Sequence, residues 1–154
     1  MTGFVANPPA APDTIVAGDG WWPSLSLNAF KAGIRVPSDL TTARIQDALV
    51  AGMIEATREL ASWRELKEAA GASSLELVDA PTFAGESELV TLYRRAVFAL
   101  AGADLADTSN DISATDAGRQ RNEIRATSAV EHRRNATAAI RRIRGRTRNR
   151  ATLI

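Results

Sequence analysis

The 154-residue chain contains no cysteine and a single histidine. Without cysteine there is no disulfide and no thiolate metal site. The lone His132 sits inside an arginine-rich stretch, where packing or surface placement suffices to explain it. A catalytic triad needs a nucleophile and an orienting acid around a histidine, and no local motif supplies them. Neither a His-Glu-x-x-His pattern nor paired carboxylates at metal-binding steps occur. Gly18 and Gly20 are followed by Trp21-Trp22-Pro23, not by a third glycine and a helix, so they form no nucleotide loop. No apolar run approaches the roughly 20 residues of a membrane span. The opening MTGFVANPPAAPDT lacks the basic region and apolar core of a signal peptide. The expectation is a soluble chain made in the cytoplasm, with no enzymatic activity, no cofactor, no metal and no membrane partner.

What is present is unevenly distributed charge. Residues 1–118 hold 8 Lys/Arg and 16 Asp/Glu, a net of −8; residues 119–154 hold 11 Arg and 2 Glu, a net of +9. Such an acidic body with a basic end points to an acidic partner. Within that end, Arg133, Arg134, Arg141, Arg142, Arg144, Arg146, Arg148 and Arg150 fall with no acid among them. One or two cations would suit a helix C-terminus; eight exceed that need and repel one another. Guanidinium offers a planar fork to carboxylate or phosphate that lysine does not. Three readings stay open: an acidic protein surface, including a neighbouring copy; DNA phosphates, contacted without sequence preference; or a merely solvated tail.

The apolar pattern is helical. At 1.5 Å per residue a stretch from about Thr41 to Ala70 spans about 45 Å. Its inner stripe reads Ile45, Leu49, Gly52 or Met53, Ala56, Leu60 and Trp63, with Gly71 as a stop. From Gly85 to Asp107, Leu89, Leu92, Tyr93, Ala96, Val97, Leu100 and Ala103 recur at helical steps. Phe98 and Leu105 add a second seam, and a helix apolar on two sides touches two partners, from this chain or from another copy. A third helix is predicted from Thr115 or Asp116 to about Arg144, on a weaker stripe of Ile124, Val130, Ala136, Ile140 and Ile143, with Gly145 at its end. Ser73 to Val78 suggests one short helical turn. Trp21, Trp22 and Phe30 either cover one end of the core or, for the tryptophans, anchor a partner, since tryptophan is enriched at binding hot spots. The predicted architecture is all-α: a bundle of three long helices plus short helical turns. Residues 1–18 form an extended N-terminal arm, 19–145 the helical domain and 146–154 a C-terminal basic tail.

Several segments resemble the phage head completion protein family, the L-protein group of contractile-tailed phages. These are Asp19-Gly20-Trp21-Trp22-Pro23; Thr42-Ala43-Arg44 with Arg58-Glu59-Leu60 and Trp63; Gly85-Glu86-Ser87; Leu92-Tyr93-Arg94-Arg95-Ala96-Val97; and Gly118-Arg119 with Ala139-Ile140-Arg141 and Gly145-Arg146. The resemblance implies a structural virion protein that completes the DNA-filled head. By analogy with head-to-tail adaptors, it implies a dodecameric ring below the portal protein, with a tail-side connector or terminator protein as a further partner. It implies the virion connector as location, host cytoplasm during assembly, and non-specific contact with packaged DNA among its contacts. The residues expected to meet portal, neighbouring subunit or DNA are Arg141, Arg142, Arg144, Arg146, Arg148, Arg150, Trp21, Trp22 and Phe98. The competing expectation is a small, basic-tailed protein that binds nucleic acid regardless of sequence.

Overall fold

The computed structural model describes residues 12–34, 36, 40–108 and 116–145, with backbone alone for 116–127. Its order is β1 (Ile15–Val16), β2 (Leu25–Ser26), α1 (Leu27–Gly33), α2 (Thr42–Ala69), a 3-10 turn (Leu75–Leu77), β3 (Thr82–Phe83), β4 (Glu86–Ser87), α3 (Glu88–Thr108) and α4 (Asp116–Ile143). The chain is mostly helical, as its periodicity predicts. The only strands among the described residues are two short antiparallel pairs, β1 with β2 and β3 with β4.

Helix α3 is the axis of the fold. It packs along α4 on one side and α2 on the other, while α2 and α4 barely touch. Small residues make this possible. A Cβ placed on Gly52 of α2 would stand 2.7 Å from the carbonyl oxygen of Val97. Ala48 and Ala56 on either side of Gly52 are fully buried with it. On α4 the buried stripe runs through Ala129, Ala136, Ala139, Ile140 and Ile143. Val130, expected on that stripe, is 63% exposed. At 100° per residue it stands a full step to the side of Ala129, and alanine is what lets α4 approach α3.

The second seam of α3 finds its partner inside the chain. Leu105 is buried, and the Phe98 ring meets Phe30 of α1 edge-on at 5.2 Å between centroids. The Phe98 side of α3 is thus covered by α1 within the chain.

Capping fixes the helix starts. Thr41 Oγ1 accepts from Arg44 N at 3.2 Å at the start of α2. Ser26 Oγ accepts from Ala29 N at 2.9 Å at the start of α1. Gly71, at φ +97°, ends α2 as expected. Helix α3 starts at Glu88, directly after Ser87. Ahead of it Thr82–Phe83 pairs with Glu86–Ser87 around Ala84 and Gly85, both at positive φ. Two consecutive positive-φ residues close a tight hairpin.

The arm is also shorter than predicted. Val16 is buried, β1 pairs with β2, and Asp13 accepts from Asn28 N at 3.0 Å and from Ser26 Oγ at 2.5 Å. Residues 12–16 thus belong to the folded body; residues 1–11 and 146–154 lie outside the described part.

Candidate functional site

Trp21 and Trp22 sit in the core, 5% and 3% exposed. Asp19 sets their turn, its Oδ1 accepting from Trp21 N at 3.0 Å and Trp22 N at 2.9 Å. Partial burial alone would raise the Asp19 pKa. The backbone bond from Trp22 and the ion pair with Arg64 outweigh it and hold the carboxyl below its usual range. The Trp22 indole stacks on Tyr93, and Trp21 meets Trp22 and Trp63 edge-on. Trp21 Nε1 donates to Ala72 O at 3.3 Å, and Arg64 lies over the Trp21 ring at 5.1 Å. Of the two readings open for this pair, the structure fits the core-covering one, because neither indole offers surface to a partner. Phe98, half-buried against Phe30, offers little more.

His132 lies on α4 against Gly102, whose added Cβ would meet His132 Nε2 at 3.2 Å. Burial lowers its pKa, opposed by the charge of Glu131. It is a packing residue. No group of three or more His, Asp and Glu side chains converges into a metal site among the described residues. No described helix is long and apolar enough to cross a membrane.

The arginines divide into two kinds. Arg133 pairs with Asp107, and Arg144 approaches Glu59 at 3.9 Å. Both pairs are solvent-exposed, and such pairs contribute only about 0–1 kcal/mol. They steer α4 without fastening it. Arg134, Arg141 and Arg142 have no ion pair among the described residues. They line an open groove of about 920 Å³ between α3 and the end of α4. The opposite wall is Glu88, Leu92 and Arg95 of α3; the floor includes Ala138 and Ala139. Arg95 also lacks an ion pair among the described residues. Four guanidiniums therefore face one carboxylate, Glu88.

The electrostatic consequence is direct. Arg134 and Arg141 are seven residues apart, about 10 Å along α4. The groove is an extended cationic slot, not a pocket for one small anion. It can take a segment carrying two or more carboxylates or phosphates. Arg146, Arg148 and Arg150 lie outside the described residues. The pattern of α4 marks Arg134, Arg141 and Arg142; it does not mark Arg95. That contribution depends on how α3 is rotated against α4. The one signal was the Glu88–Leu92–Arg95 spacing, which puts these three on one face of α3.

Comparison with known proteins adds an independent line. A model of the phage head completion protein (GPL) family matches residues 16–154. The head completion/stabilization protein of Escherichia phage P2 is 30% identical over 140 residues, covering 91% of this chain and 83% of that protein. The probable head completion/stabilization protein of Haemophilus phage HP1 is 27% identical over 142 residues, covering 92% and 93%. No solved structure matches.

Proposed function

The chain belongs to the phage head completion protein (GPL) family, and on that premise we propose that it is a structural virion protein that completes the filled head. In this reading it binds the portal vertex after DNA packaging, retains the genome and prepares the site for the tail. Its assembly face is the α3–α4 groove, continued by the arginines that follow Gly145. The observation that carries the reading is the set of four arginines, Arg95, Arg134, Arg141 and Arg142, left without ion-pair partners of their own among the described residues. Free guanidiniums repel one another, and a partner's acidic groups relieve that repulsion.

The chemistry asked of this protein is adhesion. A ring of copies at the vertex requires only complementary surfaces and a rigid body between them, and α3 clasped by α2 and α4 supplies the body.

The test is cosedimentation of the purified protein with DNA-filled heads lacking it. Wild type should saturate the vertex, and Arg141→Glu with Arg142→Glu should abolish binding while leaving helical content unchanged. Undiminished binding of that variant would refute the groove as the docking face. A gel shift at two salt concentrations addresses DNA. Free protein should bind duplex weakly; tight binding with a steep salt slope would favour a nucleic-acid-binding role instead.

A further inference from the structure

We infer that the α3–α4 groove receives the Glu76–Leu77–Asp79 corner of a second copy of this chain. The inference rests on the reading of this face as an assembly surface and names its occupant. The corner follows α2 and is held rigidly. Leu75 and Val78 are buried, and Leu75 N donates to Trp21 O at 2.9 Å. Those anchors turn the remaining side chains outward. Leu77 is 69% exposed, and Glu76 and Asp79 are exposed on either side of it. Neither carboxylate has an ion pair among the described residues. An exposed leucine between two free acids on a fixed corner is a plug, with apolar tip and anionic shoulders.

The groove has the inverse layout. Ala138 supplies exposed apolar surface between the arginines, with Leu92 and Ala139 buried beside it. Arg134 stands towards one end and Arg141 and Arg142 towards the other, with Arg95 across the groove on α3. Seating Leu77 on Ala138 brings Glu76 and Asp79 among these arginines. Within one chain the two features do not satisfy each other, since Leu77 is exposed and the groove is open.

Charge excludes a contact of groove on groove, with four guanidiniums facing four. Corner-into-groove docking either pairs two copies reciprocally or runs head-to-tail, which closes into a ring or propagates.

The experiment is sedimentation of full-length protein over a range of concentrations. Three variants are compared with wild type: Arg141→Glu with Arg142→Glu, Glu76→Arg with Asp79→Arg, and Leu77→Ala. All altered side chains are exposed, and circular dichroism checks that helical content is kept. Wild type should self-associate, and each charge-reversed variant should associate roughly 100-fold more weakly or worse. Leu77→Ala should fall between. The decisive sample is the equimolar mixture of the two charge-reversed variants. One retains an intact corner and the other an intact groove, and their two reversed surfaces are again opposite in charge, so the mixture should associate where neither variant does alone. Wild type that stays monomeric, a reversed variant that assembles like wild type, or a mixture that stays monomeric would each overturn the inference. A groove variant that assembles normally but no longer binds filled heads would overturn self-docking and leave the proposed function standing. A groove variant that fails to assemble yet binds heads fully would do the reverse.

Discussion

The indole of Trp22 lies flat on the ring of Tyr93, with centroids 4.5 Å apart and planes 15° from parallel. This stack ties the turn before β2 to the central helix. It also separates two roles for tryptophan. A partner anchor can be truncated without unfolding the free protein, but a core ring cannot. Trp22→Ala should cost about 3–5 kcal/mol of stability, read as a lowered urea midpoint. A variant that keeps wild-type stability but loses head binding would restore the anchor role.

The crossing of α2 and α3 makes a second prediction, in which two effects oppose each other. An alanine in a helix interior ordinarily gains up to about 1 kcal/mol over glycine. At Gly52 the added methyl meets Val97 O at 2.7 Å, and that oxygen is backbone and cannot rotate away. Forcing the helices apart costs about 1–3 kcal/mol, so Gly52→Ala should destabilise on balance. Chemical denaturation of the two proteins decides the sign, and a stabilised variant would show that α2 and α3 do not cross this closely.

Much of this framework can be read along the chain, and the limits of that reading are physical. The α2 stripe from Ile45 to Leu60 and the Gly71 stop depend on local spacing and backbone preference, which sequence displays. The β3–β4 hairpin does not announce itself, because Ala84 adopts φ 51°, a conformation for which alanine has no preference. Val130 and the Ala129 stripe differ by one residue, and only the need for small side chains against α3 chooses between them. The same holds for the site. Arginine density marks the end of α4, but Arg95 joins it only through the tertiary register of two helices. Phe98 looks like a seam awaiting a neighbour until α1 folds over it.

Acid should weaken the fold in two separate windows. Burial lowers the His132 pKa from its usual 6.5. The unfolded chain therefore takes up that proton first as pH falls, so the stability contributed by neutral His132 is full above about 6.5 and declines below it. The Glu86 carboxyl is held below its usual 4.5 by the Arg94 fork, with both contacts at 2.7 Å, and by Thr91. Asp19 is held below 3.8. Their contributions are full above those usual values and vanish as pH falls through the lowered ones. His132→Gln should flatten the stability profile between pH 7 and pH 5.5, while Glu86→Gln should flatten it only below about 4.5. An unchanged upper window in His132→Gln would mean that the histidine is not desolvated in the fold.

The exposed pairs make a prediction of little effect. Asp107→Asn removes the partner of Arg133, and an exposed pair contributes about 0–1 kcal/mol. Its thermal midpoint should stay near that of wild type, and head binding should be kept or slightly strengthened as one more cation is freed. A large loss of stability would show that α4 is fastened to α3 through this pair rather than through its alanine stripe.

The most direct test of the arginine groove as an assembly face is nuclease protection of packaged DNA. Filled heads lacking this protein are supplied with wild type or with Arg141→Glu plus Arg142→Glu, then treated with nuclease, and the surviving full-length genome is measured. The account predicts full protection with wild type and, with the folded variant, no more than heads without added protein retain. Equal protection by the two proteins would contradict it.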